Sequence, residues 1–175
     1  MKTSLALAIV ALLCLPARAE PPAPAAPFRA VTDTTWLGGA LATPLADAAT
    51  DLEARGITTV IDLREPGDAD LDAEAAVLQA AGIRYVNFPV GRTAPNAERL
   101  AAFARLMDET AADRRLVHCV TGNRAGMIWA LGRLDSGAPL RAVLAEIDGL
   151  VTHAPLLDIV KTHAAPPDAR TDSSL

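Results

Sequence analysis

The sequence is poor in cysteine, in basic residues and in long apolar runs, and each shortage excludes a class of protein. Only two cysteines occur, and one of them, Cys14, lies in a predicted leader, so Cys119 has no partner for a disulfide. The 16 basic residues are outnumbered by 21 acidic ones, for a formal charge of −5, which argues against a nucleic-acid or anionic-membrane partner. The longest apolar run, 5–15, has 11 residues, whereas a bilayer-spanning helix takes about 20.

The N-terminus has the features of a signal peptide. Lys2 supplies a positive start, the apolar run follows, and Ala17-Arg18-Ala19 offers the small-x-small cleavage pattern. We expect cleavage after Ala19, export to the periplasm or the medium, and no insertion into the membrane afterwards. A lone thiol in an exported protein is a liability unless it is buried or used, so the residues around Cys119 decide its role.

The mature chain is long enough for one domain with a core of its own. Hydrophobic residues make up 51% of the sequence and charged residues 21%, which is typical of a globular protein. The boundaries follow from proline and polar composition. They predict a leader at 1–19, a Pro-rich linker at 20–27, the folded domain at 28–163 and a disordered tail at 164–175.

Along this domain, β-branched apolar segments alternate with segments of helical periodicity. Such alternation predicts an α/β fold with a small, mostly parallel sheet of four to five strands flanked by helices. We expect Thr43 to cap the first helix, Asp70 to cap the second, and Ala104 to lie on the buried face of the third. The predicted strands cover 28–31, 35–37, 57–63, 83–88 and 116–118.

The last predicted strand leads into a segment with candidate functional residues. A cysteine, a short loop and a helix follow it in that order. The strand delivers Cys119 to the carboxyl edge of the sheet, where ligands of such folds bind. Gly122 allows a positive φ or the close approach of an anion, and Arg124 stands in the first turn of the next helix. The loop amides and the helix N-terminus together predict a nest for a tetrahedral anion.

The same residue types suit nucleophilic catalysis. Arg124 can grip two oxygens of a phosphate or sulfate, and the positive field around the loop stabilises a thiolate at Cys119. A cysteine also needs less activation than a serine. The alternative is that Cys119 is a buried residue at a strand end and Arg124 a surface residue at a helix start.

The segment from His118 to Arg124 resembles the signature loop of the protein tyrosine and dual-specificity phosphatase superfamily. It is most similar to the bacterial branch called beta-lactamase-hydrolase-like or DUF442 phosphatases. The resemblance extends, in the same order, over WLGG at 36–39, VIDLR at 60–64 and AGIRYVNFPV at 81–90. It implies a cysteine-phosphatase-like fold that hydrolyses a phosphomonoester through a cysteinyl-phosphate intermediate, with no metal and no cofactor.

By position, the resemblance makes Cys119 the nucleophile and Arg124 the phosphate clamp, with Asp62 as a third candidate catalytic residue. We expect a monomer that acts on a phosphorylated substrate of unspecified identity. For His118 a hydrogen-bonded core histidine is an equal alternative, and for Arg92 the alternative is a surface charge. The candidate substrate-binding residues are His118, Val120, Thr121, Gly122, Asn123 and Arg92.

Two departures from the family pattern lie in the loop itself. Four residues separate Cys119 from Arg124, where phosphatases usually have five, and rhodanese sulfurtransferases share the shorter spacing. Ala125 stands where a serine or threonine usually helps the thiolate to leave the intermediate. A rhodanese-like sulfurtransferase and a non-catalytic phosphate-binding protein therefore remain alternatives to a phosphatase.

A third departure concerns the general acid. The resemblance places an aspartate in the loop after the strand that contains Tyr85, but residues 91–96 contain no carboxylate. Asp62 and Glu98 are the available substitutes. Asp62 has the alternative of pairing with Arg64, and Glu98 that of a solvated helix residue.

Overall fold

The structure is a computed structural model that describes residues 28–165. The predicted leader and linker lie outside this part of the chain, as does the predicted tail from 166 onward. The strands are β1 (Phe28–Ala30), β2 (Thr35–Gly38), β3 (Thr59–Asp62), β4 (Arg84–Asn87) and β5 (Arg115–His118). The helices are α1 (Leu45–Ala54), α2 (Leu71–Ala80), α3 (Ala97–Glu109), α4 (Asn123–Asp135), α5 (Leu140–Glu146) and α6 (Ala154–His163).

The five strands form one sheet in the order β1-β2-β5-β3-β4. Only β1 is antiparallel to its neighbour, and β2, β5, β3 and β4 run parallel. This confirms the predicted α/β fold with a mostly parallel sheet. Because β5 lies in the centre, the segment that follows it meets the segments after β2, β3 and β4 at one carboxyl edge.

Side chains along β5 alternate between two separate cores, one on each face of the sheet. Leu116 belongs to the core covered by α1 and α2. Val117 and Cys119 belong to the larger core covered by α3 to α6. Successive residues of a strand point to opposite faces, so His118 and Cys119 extend to different sides of the sheet although they are adjacent in sequence.

The helix signals predicted from the sequence are partly confirmed. Asp70 caps α2, since its carboxylate accepts a hydrogen bond from the Ala73 amide at 3.0 Å. The prediction for Thr43 was wrong: the extended residue Pro44 directly precedes α1, and no side chain caps that helix. Ala104 is exposed, because α3 buries its larger apolar side chains and a single methyl group gains little from burial.

Within residues 28–165, no helix is both long and apolar enough to cross a bilayer. The most enclosed helix is α4, in which residues 124–131 are all buried. Its first two turns have no solvent face because β5 lies beneath them and α3, α5 and α6 pack around them. The residue types of these turns are therefore set by packing and not by contact with water.

Glycine allows the segment before α6 to pack directly on the start of α4. A Cβ atom on Gly126 would lie 2.4 Å from Val151 Cγ2, and one on Gly122 would lie 2.6 Å from Leu150 Cδ1. Both distances are far below van der Waals contact. The absence of a side chain at these two positions therefore determines where residues 150–153 lie.

We expect Gly126→Ala to lower the free energy of unfolding by about 1–3 kcal/mol, because the added methyl group overpacks the contact with Val151. Gly132→Ala is the matched control in the same helix, since nothing lies within 4 Å of its added Cβ. It should stabilise the protein by about 0.5–1 kcal/mol through helix propensity. Urea unfolding of both variants checks this, and equal changes at the two positions would contradict it.

Candidate active site

Cys119 lies at the carboxyl end of the central strand, where the sheet holds its backbone on both sides. Its amide donates to the Gly38 carbonyl at 3.2 Å, and the Leu63 amide donates to the His118 carbonyl at 2.9 Å. The residue is 1% exposed and its thiol is free. The side chain is therefore buried, within the larger core on the side of the sheet covered by α3 to α6.

That loop turns through Gly122 and leads directly into α4. Gly122 has a φ of 87°, in the left-handed region that favours glycine. In the described part of the chain, the backbone amides of Val120, Thr121, Asn123 and Arg124 donate no hydrogen bond. Unused amides at the positive end of a helix dipole are the elements of an anion-binding nest.

The guanidinium of Arg124 is buried and joins three segments of the carboxyl edge. Nη1 donates to the Val90 carbonyl at 3.0 Å and to the Leu63 carbonyl at 3.4 Å. Nη2 donates to the Asp68 carboxylate at 2.7 Å. A guanidinium has five N–H donors, so the Nε–H and one Nη2–H are left within the described residues for an anion.

Asp68 is a site residue that the sequence analysis missed. Its carboxylate accepts hydrogen bonds from the Glu65 amide at 2.9 Å and from Arg124. These two bonds, together with the charges of Arg124 and Arg92, hold the pKa of Asp68 below its usual range. The signal was available, because Asp68 follows the strand next to β5 and loops after adjacent parallel strands meet at one edge.

An open cavity of about 330 Å³ lies over the loop. Arg92, from the loop after β4, and Arg124 both line it. The wall from the start of α6 was not predicted, because those residues are about thirty positions away in sequence. The cavity is lined by Arg92, Val120, Thr121, Asn123, Arg124, Thr152, His153 and Leu156.

The side chain of Asn123 fixes one wall of this cavity. Its carbonyl oxygen accepts hydrogen bonds from the amides of Thr152 and His153, both at 2.8 Å, and its amide nitrogen donates to the Thr121 hydroxyl at 3.0 Å. These bonds hold the segment before α6 against the loop. Sequence reasoning placed Asn123 in the substrate-binding set, and the structure gives its carboxamide protein partners.

Asp62 and His118 lie on the opposite face of the sheet, outside the cavity lining. Arg64 binds the Asp62 and Glu74 carboxylates through Nη2, at 2.8 and 2.7 Å, and the Tyr85 hydroxyl donates to Asp62 at 2.7 Å. The pairing of Asp62 with Arg64 is thus the arrangement that the structure shows. Burial would raise the pKa of Asp62, but the Arg64 hydrogen bond and its other partners outweigh burial and lower it.

His118 completes this buried cluster. Its Nε2 atom lies 3.1 Å from Glu74 Oε1 and 3.7 Å from Asp62 Oδ1, but neither ring nitrogen has a partner in hydrogen-bonding geometry. One ligand atom from each of Asp62, Glu74 and His118 lies within 4.8 Å of the others. Arg64 already bridges both carboxylates and supplies the positive charge that a metal ion would bring, so the cluster is built as an ion-pair network.

The remaining acid candidate, Glu98, is exposed in the first turn of α3. It lines a shallow groove beside α3 together with Pro89 and Arg99, and it is absent from the lining of the cavity over the loop. Residues 91–96 bring no carboxylate to that cavity either. Within residues 28–165, the carboxylate that pairs with Arg124 is that of Asp68.

A mostly parallel sheet whose central strand ends in a buried cysteine, followed by a short loop and a helix with a buried arginine, is the fold of the cysteine-phosphatase class. Residues 27–136 match the family described as beta-lactamase hydrolase-like protein, phosphatase-like domain, and the chain belongs to that family. A beta-lactamase hydrolase-like protein of Xylella fastidiosa is 35% identical over 98 residues. That match covers 54% of this chain and 22% of the length of the relative.

Solved structures of other phosphatase-like proteins share the fold. A DUF442 protein of Shewanella putrefaciens has a TM-score of 0.62 at 22% identity, over 79% of this chain and 88% of that one. TpbA of P. aeruginosa has a TM-score of 0.59 at 23% identity, over 78% and 83%. The core catalytic domain of a PP-IP phosphatase of S. cerevisiae has a TM-score of 0.62 at 15% identity, over 78% and 85%.

Tyr85 is the only tyrosine in the sequence, so its ionisation can be followed by ultraviolet absorbance. Burial, and then the hydrogen bond to Asp62, raise the pKa of Tyr85 above its ordinary value. We expect no tyrosinate in the folded protein at pH ~10, where an unperturbed tyrosine titrates. Since the folded pKa is the higher one, the bond's contribution to stability is complete below that pH and is lost above it. The urea-unfolded chain is the control, and native titration at pH ~10 would refute the buried cluster.

Proposed function

We propose that this chain is a cysteine-dependent phosphatase that hydrolyses phosphomonoesters through a cysteinyl-phosphate intermediate. The observation that carries the proposal is that Arg124, with two N–H groups unused within the described residues, lines the same cavity as Val120, Thr121 and Asn123, whose backbone amides donate no hydrogen bond. These donors suit the oxygens of a phosphoryl group. Family membership supports the same reaction class.

In the first step, the Cys119 thiolate attacks the phosphorus atom held by the loop. The S–P bond forms as the bond between phosphorus and the leaving oxygen breaks, and the bonding electrons remain on that oxygen. The loop amides and Arg124 hold the three other oxygens, which carry the charge that develops in the transition state. The positive end of the α4 dipole acts in the same direction.

In the second step, water hydrolyses the intermediate. Its oxygen attacks phosphorus, the S–P bond breaks, the electrons return to sulfur, and the proton of the water passes to the solvent. Ala125, which is fully buried, has no hydroxyl to assist the departing thiolate. A positioned general acid typically contributes 10²–10⁴-fold, and with no carboxyl group in the cavity lining the enzyme should favour substrates with good leaving groups.

Asp68 serves this reaction by orienting Arg124. Its carboxylate accepts a hydrogen bond from Nη2 of Arg124. Together with the carbonyls of Leu63 and Val90, which accept from Nη1, it fixes the plane of the guanidinium. Its lowered pKa keeps it a carboxylate at neutral pH, and that form accepts hydrogen bonds and has no proton to give. We therefore assign it to positioning.

A second candidate function is phosphate binding without turnover. It is favoured by the 1% exposure of Cys119 and by the apolar residue at position 125. The anion-binding geometry is the same in both cases, and only the reactivity of the sulfur differs. A turnover assay separates the two functions.

With 4-nitrophenyl phosphate as substrate, we expect measurable turnover by the wild-type protein and none by Cys119→Ser. Arg124→Lys should lower kcat/KM by about 10²–10³-fold, because lysine keeps the charge but loses the planar fork. Glu98→Gln is the control, since its carboxylate lies outside the cavity lining, and it should retain wild-type kcat/KM.

Each variant is first checked for native folding by circular dichroism and for phosphate binding by calorimetry. Turnover that survives in Cys119→Ser contradicts the proposal. Phosphate binding by a folded wild-type protein with no turnover supports the second candidate function. Transfer of sulfur from thiosulfate to cyanide instead of phosphate ester hydrolysis selects the sulfurtransferase alternative.

We further propose that the protein acts as a monomer after export. The support is the leader pattern, with cleavage after Ala19, and the single cysteine that remains afterwards. Because it is buried, Cys119 is protected from the disulfide exchange that an exposed lone thiol would undergo in an oxidising compartment.

A further inference from the structure

The cavity over the loop carries more positive charge than one phosphoryl group needs. Its lining includes two arginines and one histidine, and no aspartate or glutamate. The charge of Arg124 is balanced by Asp68, with which it forms an ion pair at 2.7 Å. The exposed Arg92 makes no hydrogen bond and no ion pair within residues 28–165, although its charge also acts on Asp68. Its guanidinium thus has unused N–H groups beside the proposed phosphoryl site.

Arg92 also occupies the loop in which the family pattern places the general acid. Residues 91–96 contain no carboxylate, and the nearby Asp68 is held in its ionised form by Arg124 and the Glu65 amide. Glu65 has a carboxylate oxygen 3.6 Å from the position of an added Cβ on Gly91, but it is absent from the cavity lining. The leaving oxygen therefore meets an arginine, and the cavity lining has no carboxyl group to give it a proton.

A cation in place of an acid selects a particular kind of leaving group. An alkoxide needs a proton as it departs, but a phosphate oxygen departs as a stable anion and needs a positive charge to stabilise it. The cavity of about 330 Å³ has the size of a small-molecule site, which leaves room next to the loop for a second phosphate. The planar guanidinium of arginine binds phosphate oxygens in pairs.

We propose that the preferred substrates are phosphoanhydrides, with the terminal phosphoryl group on the loop and the adjacent phosphate on Arg92. The inference rests on the proposed function and names its substrate class. The Cys119 thiolate forms the S–P bond, the bridging P–O bond breaks, and its electrons remain on the departing phosphate, which Arg92 stabilises. Water then hydrolyses the cysteinyl phosphate, and its proton passes to the solvent.

Binding is tested in the Cys119→Ser background, where no turnover consumes the ligand. Calorimetry should show that inorganic pyrophosphate binds at least tenfold more tightly than inorganic phosphate. Arg92→Gln should lower the ratio of the pyrophosphate affinity to the phosphate affinity at least tenfold. Arg92→Lys should retain part of this ratio, because lysine keeps the positive charge. Arg105→Gln is the matched control: it makes the same charge change at an exposed arginine on α3 outside the cavity, and it should leave the ratio unchanged.

The second part of the test measures turnover by the wild-type protein, which keeps Cys119. The substrates are pyrophosphate, ADP and phenyl phosphate. We expect kcat/KM for the anhydrides to exceed that for phenyl phosphate and to fall at least tenfold more in Arg92→Gln. ADP and pyrophosphate together show whether an organic group beyond the second phosphate is recognised. Equal affinities for phosphate and pyrophosphate, or an equal effect of Arg92→Gln and Arg105→Gln on their ratio, would overturn the inference.

The two proposals fail in different ways. Hydrolysis of 4-nitrophenyl phosphate with no preference for anhydrides removes the substrate assignment and leaves the phosphatase proposal standing. A folded protein that binds pyrophosphate through Arg92 but turns over no phosphate compound removes the phosphatase proposal and leaves a diphosphate-binding site. A protein that binds neither anion contradicts both.

Discussion

The carboxyl edge of this sheet depends on the burial of Arg124. Moving a guanidinium out of water costs much free energy unless its N–H groups find hydrogen-bond partners. Carbonyls from the segments after β3 and β4 and the carboxylate of Asp68 supply those partners. One side chain therefore fixes the relative positions of three loops. The same accounting leaves two N–H groups for an anion, so the structural and the proposed chemical roles of Arg124 share one geometry.

The candidate active site and a buried ion-pair cluster lie on opposite faces of the sheet. The loop, the cavity and the buried thiol lie on the side covered by α3 to α6. On the other side, a buried ion-pair cluster formed by Asp62, Arg64, Glu74, Tyr85 and His118 ties β3, β4 and β5 together with α2. Cys119 directly follows His118 in the chain, so the two sides of the sheet meet at the end of β5. His118 is thus a core residue, as its alternative had it, but its ring nitrogens lack the hydrogen bond that the alternative included.

The fold was predictable because its signals are local. Alternating apolar strands and periodic helices predicted the parallel sheet, and strand, loop and helix around Cys119 predicted the anion site. Asp68 was missed although its loop follows the strand next to β5 and so reaches the same edge of the sheet. His153 was missed because it reaches the site from a segment about thirty residues further along, and no local pattern records that approach. The position of His118 was predictable in principle, since residues adjacent in a strand face opposite sides. Ala104 shows the limit of periodicity, because a methyl group contributes too little to orient a helix.

The most direct test of the central claim is a crystal structure of the protein grown with orthovanadate, an analogue of the phosphoryl group in transit. The account predicts vanadium bonded to the Cys119 sulfur, with its oxygens accepting hydrogen bonds from the loop amides and from the Nε–H and Nη2–H of Arg124. A folded protein with vanadate absent from the loop, or bound only elsewhere on the surface, would contradict it.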